Sequence, residues 1–178
     1  MTLLKILLRI IIDVIKISKK AKKIRALGKT ELLSLDDDDF FDAIECVCEN
    51  AVYDIEDANI PLEQKFVYSL NKFEAEINNG GLCQFFVNSS SECAPYISEA
   101  LNAIGATKIK NLFDNFIKEN NIDVKDLSSF KIESIDEYEE QTKRYNFDSF
   151  DDKFYEDENF HQQIIDYSRE NIDILLKK

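Results

Sequence analysis

Few residues of this chain could do acid–base or nucleophilic chemistry. His161 is the only histidine, and we find no Ser-His-Asp, Cys-His or histidine-rich metal arrangement that it could complete. His161 lies near the start of the last predicted helix, a position that is typical of a surface or capping residue. Asp151 and Asp152 could in principle pair for acid–base work, but adjacent positions on a helix point apart. With no glycine-rich phosphate loop either, we expect no enzyme and no cofactor.

The four cysteines do not form a metal or redox motif. Cys46 and Cys48 have a Cys-x-Cys spacing, which is neither a redox pair nor a structural zinc pair, and they cannot share one helix stripe. With Cys83 and Cys93 they are too few for a disulfide scaffold in a chain of this length. We expect reduced, mostly buried thiols, no bound metal and a cytoplasmic location.

Charge gives the first indication of a partner. The 22 Lys and Arg against 35 Asp and Glu give a net charge of −13, which argues against unaided binding to nucleic acid or an anionic membrane and favours a basic protein partner. Residues 1–30 hold nine basic residues and one acidic residue, so subtraction leaves 13 basic and 34 acidic residues in 31–178. The alternative is that the acids only keep the surface soluble. The candidate binding residues are Asp36, Asp37, Asp38, Asp39, Glu137, Glu140, Asp148, Asp151, Asp152, Glu156, Asp157 and Glu158.

Residues 1–30 differ from the rest in charge and pattern. Lys5, Arg9, Asp13 and Lys16 interrupt the apolar run and no small-residue cleavage site follows, so the segment predicts neither a signal peptide nor a spanning helix. Its apolar residues repeat at helical spacing, which predicts a basic amphipathic helix: Leu3, Leu4, Leu7, Leu8, Ile11, Ile12 and Ile15. Three roles stay open: packing on its own domain or on a second copy in a homodimer, lying on an anionic membrane surface, or docking another protein.

Residues 31–178 are predicted to form a single compact all-α domain. Only 4 Gly and 2 Pro interrupt the chain, too few for a many-stranded sandwich or barrel, and 44% apolar residues can fill a core. Apolar spacing predicts helices that begin after Asp36–Asp39, at Pro61, near Glu92, at a Thr107 cap and at Phe160. The first of these patterns extends to Ile55, and the last helix extends to Leu175. Gly28 to Ser34 is expected to be a joint, and 121–158 has no assigned helix.

The segment from Asn78 to Gly81 is predicted to be a sharp turn after the helix that starts at Pro61. Asn and Gly take left-handed backbone angles that other residues resist. Phe85 and Phe86 would anchor the turn in the core, while Gln84, Asn88 and Ser89 would satisfy backbone groups left unpaired. The alternative is that Asn79, Gln84 and Asn88 line a polar pocket.

The same segment carries a family resemblance. Residues 74–90 read E-A-E-I-N-N-G-G-L-C-Q-F-F-V-N-S-S, and residues 100–106 read A-L-N-A-I-G-A. They resemble the bacterial family related to the DNA-mimic proteins, whose motif is approximately E-V-N-N-G-G-F-x-Q-F-F-x-N-S-S. The matching residues here are Glu76, Asn78, Asn79, Gly80, Gly81, Gln84, Phe85, Phe86, Asn88 and Ser89, with a departure at Leu82, where Phe is usual. The resemblance covers about residues 35–175, including the acidic and aromatic segment 150–155, and leaves residues 1–29 as an addition.

The resemblance implies an α-helical fold and suggests a function. Most members of the family have no known function, and a characterised branch uses its acidic surface in place of DNA phosphates to occupy the DNA-binding face of a transcription factor. We therefore expect a non-catalytic acidic binding module, with DNA mimicry toward a basic regulator as the leading hypothesis. The alternatives are an immunity or antitoxin-like protein that neutralises a basic toxin, and an acidic domain tethered to a membrane by residues 1–25.

Overall fold

The structure is a computed structural model that describes residues 23, 24 and 26–177. Every regular element in this part of the chain is helical, which confirms the all-α prediction. The α-helices are α1 (Lys29–Leu33), α2 (Asp37–Ala51), α3 (Leu62–Val87), α4 (Ala94–Ala103), α5 (Thr107–Glu119), α6 (Ile135–Arg144), α7 (Phe147–Tyr155), α8 (Phe160–Glu170) and α9 (Ile172–Leu175). Short 3-10 helices span Ser89–Cys93 and Ser128–Phe130. The predicted amphipathic helix falls mainly on residues 1–22, outside the described residues, and the division of the chain at residue 30 stays a prediction.

Helix α3 is the centre of the domain. Helices α2, α4, α7, α8 and α9 pack against it, and side chains around much of its circumference are buried, as expected for a surrounded helix. The fully buried ring of Phe73 lies at the middle of the main core. It makes edge contacts, with centroids 5.0 to 6.5 Å apart, with Phe85, Phe113, Phe150, Phe154 and Phe160.

A smaller core cluster joins α1, α2, α8 and α9 to α3. We call it the second cluster, and its buried members are Leu32, Phe40, Ala43, Ile44, Cys48, Val67, Ile165, Ile172 and Leu175. The buried side chain of Gln64 ties the end of the described chain to α3, because its Nε2 donates to the carbonyls of Leu175 at 3.0 Å and Lys177 at 2.8 Å. These bonds satisfy carbonyls that the end of a helix leaves unpaired.

Local signals explain several helix ends. Asp36 caps α2, since its side chain accepts the N–H of Asp39 at 2.9 Å, and the acids that follow suit the positive end of the helix dipole. Gly105 ends α4 with φ +75, as predicted. The N–H of Ala106 then donates to the Leu101 carbonyl at 2.9 Å, and the N–H of Gly105 donates to that of Asn102 at 3.2 Å, a Schellman ending.

Other predicted boundaries are wrong. The expected joint from Gly28 to Ser34 contains α1, which the Glu31 carboxylate stabilises by accepting the Gly28 N–H at 2.7 Å. Ile55 is buried but lies beyond the end of α2. Thr107 is the first residue of α5, and the cap is Ala106. The last helix is interrupted at Asn171, between α8 and α9.

Residues 121–158, which had no predicted helix, hold α6 and α7. Ser134 caps α6 by accepting the Glu137 N–H at 3.2 Å, and Asn146 caps α7 by accepting the Ser149 N–H at 3.4 Å. Phe147, Phe150 and Phe154 anchor α7 in the main core, whereas α6 has no buried residue. This segment therefore brings a row of acids onto helices instead of leaving them in a loop.

Candidate functional site

The Asn-Asn-Gly-Gly segment forms a kink within α3. Asn78 and Asn79 are exposed and continue the helix, and the break comes at Gly80 (φ −167) and Gly81 (φ +80), after which the chain re-enters a helix. The sharp turn predicted for Asn78–Gly81 is therefore a kink confined to the two glycines, of which Gly81 has the expected positive φ, while Asn78 and Asn79 stay helical. A Cβ at Gly81 would lie 2.2 Å from Oδ2 of Asp151, and a Cβ at Gly80 would lie 2.1 Å from Oε1 of Gln84. Both glycines thus make room for neighbouring side chains.

Two side chains of α7 satisfy the backbone groups that the kink releases. In an unbroken helix the Ile77 carbonyl would accept from residue 81 and the Leu82 N–H would donate to residue 78. Here the Tyr155 hydroxyl donates to the Ile77 carbonyl at 2.6 Å, and Asp151 Oδ1 accepts the Leu82 N–H at 2.9 Å. Burial raises the pKa of Asp151, with the bond from Leu82 acting in the opposite direction. Asp151 therefore has a structural role.

The polar residues after the kink converge on the carboxylate of Glu76. Gln84 Nε2 and Asn88 Nδ2 each donate to Oε2 at 2.8 Å, and the Ser90 hydroxyl donates to Oε1 at 2.8 Å. These amides were expected to bond backbone groups, and that expectation is wrong. Both carboxylate oxygens of Glu76 therefore already accept hydrogen bonds. Phe85 and Phe86 are buried, which confirms that they lie in the core. These contacts favour a structural role for the motif over a pocket, and Asn79 and Ser89 are exposed.

His161 is half-exposed and belongs to a small cluster between α2, α3 and α8. Its Nδ1 lies 3.0 Å from Oε2 of Glu74, and its ring lies on that of Phe41 with centroids 4.2 Å apart. Burial raises the pKa of Glu74, and the bond from His161 opposes this shift. No local sequence pattern indicates this partner, because Glu74 is 87 residues away in the chain. These contacts join the three helices and stabilise their packing.

The candidate acids lie on two separate sets of helices. Those on α2 already have local roles: Asp36 is the cap, and Asp37 lies 2.9 Å from the guanidinium of Arg169, which also stacks on the Phe40 ring. Asp38 and Asp39 are exposed in the first turn of α2. The acids on this helix therefore stabilise its start.

The second set follows α6 and α7, and we call it the α6–α7 acids. Its members are Glu137, Glu140, Asp148, Asp152, Glu156, Asp157 and Glu158, of which only Asp157 is half-buried while the others are exposed. Glu137 accepts the N–H of Glu133 at 2.6 Å, and Asp157 accepts that of Asn159 at 3.0 Å. No ion pair between described residues involves any of these carboxylates. No direct ion pair between described residues therefore neutralises these acids, although Lys131, Lys143 and Arg144 line the same groove as Glu137 and Glu140.

An open groove of about 460 Å³ lies against α6, and sequence reasoning missed it. Its lining mixes charges of both signs: Lys131, Ile132, Glu137, Glu140, Gln141, Lys143 and Arg144. Arg144 and Gln141 are fixed in part by bonds to the Ser129 carbonyl at 3.1 and 2.5 Å. The groove forms because the chain before α6 runs beside that helix, a pairing that no local sequence pattern reveals.

The remaining chemistry of the described residues is limited. They contain no group of three or more His, Cys, Asp or Glu side chains placed to hold a metal ion. None of Cys46, Cys48, Cys83 and Cys93 is in a disulfide, and all but the half-buried Cys46 are buried, as predicted. Within residues 23, 24 and 26–177, no helix has the length and apolarity needed to cross a membrane.

Comparison with known proteins places the chain in a family. No curated protein matches it, and no solved structure matches it. A family model described as DMP19-like protein matches residues 58–171, which are more than half of the chain. The matched range includes the kink of α3, the Glu76 cluster and α7, and it starts later than the resemblance over residues 35–175 suggested. The chain belongs to the DMP19-like protein family.

Proposed function

We propose that this protein is a non-catalytic DNA mimic, which binds the DNA-binding face of a basic regulator with carboxylates in the place of phosphates. Membership of the DMP19-like family supports this class of function. The observation that carries the proposal is the set of α6–α7 acids, which are mostly exposed and have no ion-pair partner among the described residues. Lysines and arginines that bind DNA are already placed for a series of negative charges.

The backbone of α7 supports a regular row of charges. Asp148, Asp152 and Glu156 follow one another at intervals of four residues, so they recur on one side of the helix about every 6 Å. Three buried phenylalanines fix the opposite side of α7 in the core. A rigid row binds a rigid partner with a smaller entropy cost than a flexible acidic tail would.

The acids at the end of α7 do not stabilise that helix. Glu156, Asp157 and Glu158 lie at the carboxyl end of the helix, where the dipole disfavours negative charge. The acids of α2, in contrast, lie at the amino end of their helix and stabilise it. An external cation would therefore relieve repulsion at α7, and this asymmetry makes the α6–α7 acids the better candidate surface.

The test is affinity capture from a lysate of the native cells with salt-stepped elution and competition by duplex DNA. The test variant is Asp148→Asn/Asp152→Asn/Glu156→Gln. The matched control is Asp38→Asn/Asp39→Asn/Glu99→Gln, which removes three exposed carboxylates elsewhere. We expect a DNA-binding protein that duplex DNA displaces, with retention reduced at least tenfold by the α7 variant and little by the control.

Two results would contradict the proposal. Equal loss of retention in both triple variants would mean that only total charge matters, not the α7 row. Capture of a nuclease or another toxin would favour an immunity function for the same surface. Measurement of the dissociation constants of purified pairs at several salt concentrations then separates a charge-driven interface from an apolar one.

A further inference from the structure

The groove against α6 gathers cations in a domain that is otherwise strongly acidic. Lys131, Lys143 and Arg144 all line it, whereas residues 31–178 hold 13 basic and 34 acidic residues. No ion pair between described residues involves any of these three cations. Two carboxylates, those of Glu137 and Glu140, belong to the same lining. The cations therefore stay without a direct partner although acids are close at hand.

Arg144 is held in the groove by contacts other than an ion pair. Glu140 lies four residues before it, which is the order and spacing at which Glu and Arg normally pair on one helix. Instead, Nη1 of Arg144 donates to the Ser129 carbonyl at 3.1 Å, and the guanidinium lies 5.4 Å from the centre of the Tyr145 ring. Its other amino group, Nη2, has no acceptor among the described residues. The guanidinium is therefore fixed at one end and available to an anion at the other.

Buried rings fix the backbone on both sides of the groove. Phe130, one residue before Lys131, is 1% exposed, and its ring centroid lies 5.8 Å from that of Tyr145, the residue after Arg144. The carbonyl that Arg144 contacts also accepts Nε2 of Gln141 at 2.5 Å. The segment before α6 and the end of α6 are thus joined, so the groove has a defined position for its cations.

The lining of the groove restricts the chemistry of a ligand. Guanidinium and ammonium groups bind carboxylates and phosphates. The volume of about 460 Å³ lies in the range of sites for organic molecules, and Ile132 offers an apolar contact that an inorganic ion cannot use. Gln141 and Glu140 can accept N–H donors. None of the described side chains that line the groove is an aromatic ring on which a nucleobase could stack. A peptide with carboxylates, backbone N–H groups and an apolar side chain fits this lining best.

From the three unpaired cations, the fixed guanidinium and the mixed lining, we infer that the α6 groove binds a short acidic peptide segment of another protein. One carboxylate of the segment pairs with Arg144, further carboxylates pair with Lys131 and Lys143, and an apolar side chain lies on Ile132. This inference does not depend on DNA mimicry, which uses the row of acids on α7 and a basic surface. If both hold, the domain binds opposite charges at two neighbouring places.

Nuclear magnetic resonance titration of the nitrogen-15-labelled full chain tests the inference with two synthetic peptides. The acidic probe is acetyl-Asp-Glu-Leu-Glu-Asp-amide, and the matched neutral probe is acetyl-Asn-Gln-Leu-Gln-Asn-amide. We expect the acidic peptide to shift amides of residues 129–144 with a dissociation constant of about 1 mM or lower, and the neutral peptide to bind about tenfold more weakly or less. Because the net charge of −13 repels an acidic peptide, its binding requires a local group of cations.

Variants locate the site. Lys131→Gln/Lys143→Gln removes two cations of the groove, and Lys108→Gln/Lys118→Gln, the control, removes the same charge from exposed positions of α5. We expect the groove variant to weaken binding of the acidic peptide about fivefold or more, and the control to weaken it less than about twofold. Arg144→Lys keeps the charge but loses the planar fork, so it should also weaken binding. Urea denaturation with equal midpoints for all variants shows that they are folded.

Other outcomes overturn the inference. Absence of shifts with the acidic peptide, or equal binding of the two peptides, would mean that the groove does not select carboxylates. Equal weakening in the two lysine variants would mean that only the total charge matters. Inorganic phosphate that binds as tightly as the peptide would reduce the groove to a simple anion site. A single-stranded oligonucleotide that binds more tightly than the peptide and needs Lys131 and Lys143 would indicate a nucleic-acid site instead.

Discussion

The backbone N–H of Leu82 donates to Asp151 Oδ1 across 69 residues of chain. One turn after Asp151, the Tyr155 hydroxyl donates to the carbonyl of Ile77, on the other side of the same kink. The Asn-Asn-Gly-Gly segment and the acidic, aromatic segment of α7 are therefore one structural unit. A substitution in either segment should therefore change the packing of the other.

Tyr155→Phe removes one hydrogen bond of this unit. We expect the free energy of unfolding to fall by about 0.5–1.5 kcal/mol, because the Ile77 carbonyl loses its donor while the ring stays. Urea denaturation followed by circular dichroism measures the change. Tyr53→Phe is the control, since Tyr53 is 80% exposed and its hydroxyl contacts only the nearby Asp57 at 3.1 Å. An equal loss in both variants would contradict a special role for Tyr155.

Gly81→Ala should be more harmful than the same change at Gly105. Both glycines have a positive φ, but the new methyl group at 81 would collide with Asp151, and at 105 it would meet no atom within 4 Å. We expect a loss of about 2–4 kcal/mol at 81 and about 1 kcal/mol at 105. Thermal and urea unfolding of the two variants check this order, and similar losses would exclude the collision as the cause.

Glu76→Ala leaves three donors without their acceptor. The two more exposed donors, Gln84 and Asn88, can bond water instead, but the Ser90 hydroxyl is buried and loses its acceptor. We therefore expect the free energy of unfolding to fall by about 1–3 kcal/mol. Glu76→Gln should recover part of it, since one oxygen remains an acceptor. Glu99→Ala, at an exposed site on α4, is the control and should change stability by less than about 0.5 kcal/mol. No difference between positions 76 and 99 would refute the proposed anchoring of the motif.

The pH dependence of stability should reflect buried and half-buried carboxylates with raised pKa values. Burial, and then the neighbouring Glu49, raise the pKa of Glu45, and burial raises those of Glu74 and Asp151. An acid with a higher pKa in the folded state binds more protons there, so the free energy of unfolding falls as pH rises from the unfolded pKa through the folded one.

Glu45→Gln tests this sign. The variant should be more stable than the unchanged protein at pH 7, by about 0.2–0.5 kcal/mol from the relieved repulsion with Glu49 four residues on. The difference should shrink as the pH is lowered towards 4.5, because Glu45 then becomes protonated. Urea denaturation at several pH values measures it. A variant that is less stable at pH 7 would show that the attraction of Lys72 outweighs burial.

Alkylation should distinguish Cys46 from the other thiols. Burial raises the pKa of Cys48 and Cys93 to about 12 and that of Cys83 to about 11, so little reactive thiolate exists at pH 8. We expect iodoacetamide to modify the half-buried Cys46 first and the other three only after denaturant is added. Mass spectrometry of digested protein locates the modified residues. Rapid labelling of Cys83 in the native protein would contradict the packing of α3.

Helix boundaries were predictable from the sequence where the residues that set them lie within a few positions of the boundary. The Asp36 cap, Pro61 before α3 and Gly105 after α4 act within a few residues, and these helices were predictable. Helix α6 was missed because it buries no residue, so it has no apolar stripe to recognise. The phenylalanines of α7 have helical spacing, but the surrounding acids obscured it.

The candidate site was only partly predictable because its contacts are long-range. The sequence marked the glycines of the kink, yet the groups that make a kink possible lie on α7, at positions 151 and 155. The role of Glu76 depends on donors up to 14 residues further along. His161 could not be assigned a partner from its neighbours, because Glu74 comes from another helix. Charge counts likewise gave no indication of which acids are already engaged.

The polar side chains of α7 fall into two sets that point to different sides of the helix. Asp151 and Tyr155 face the kink and bond its backbone, whereas Asp148, Asp152 and Glu156 are exposed and have no described hydrogen bond or ion pair. A substitution at one of the three outward positions therefore removes no hydrogen bond or ion pair of the described residues, whereas a substitution at Asp151 or Tyr155 removes a bond to the kink of α3.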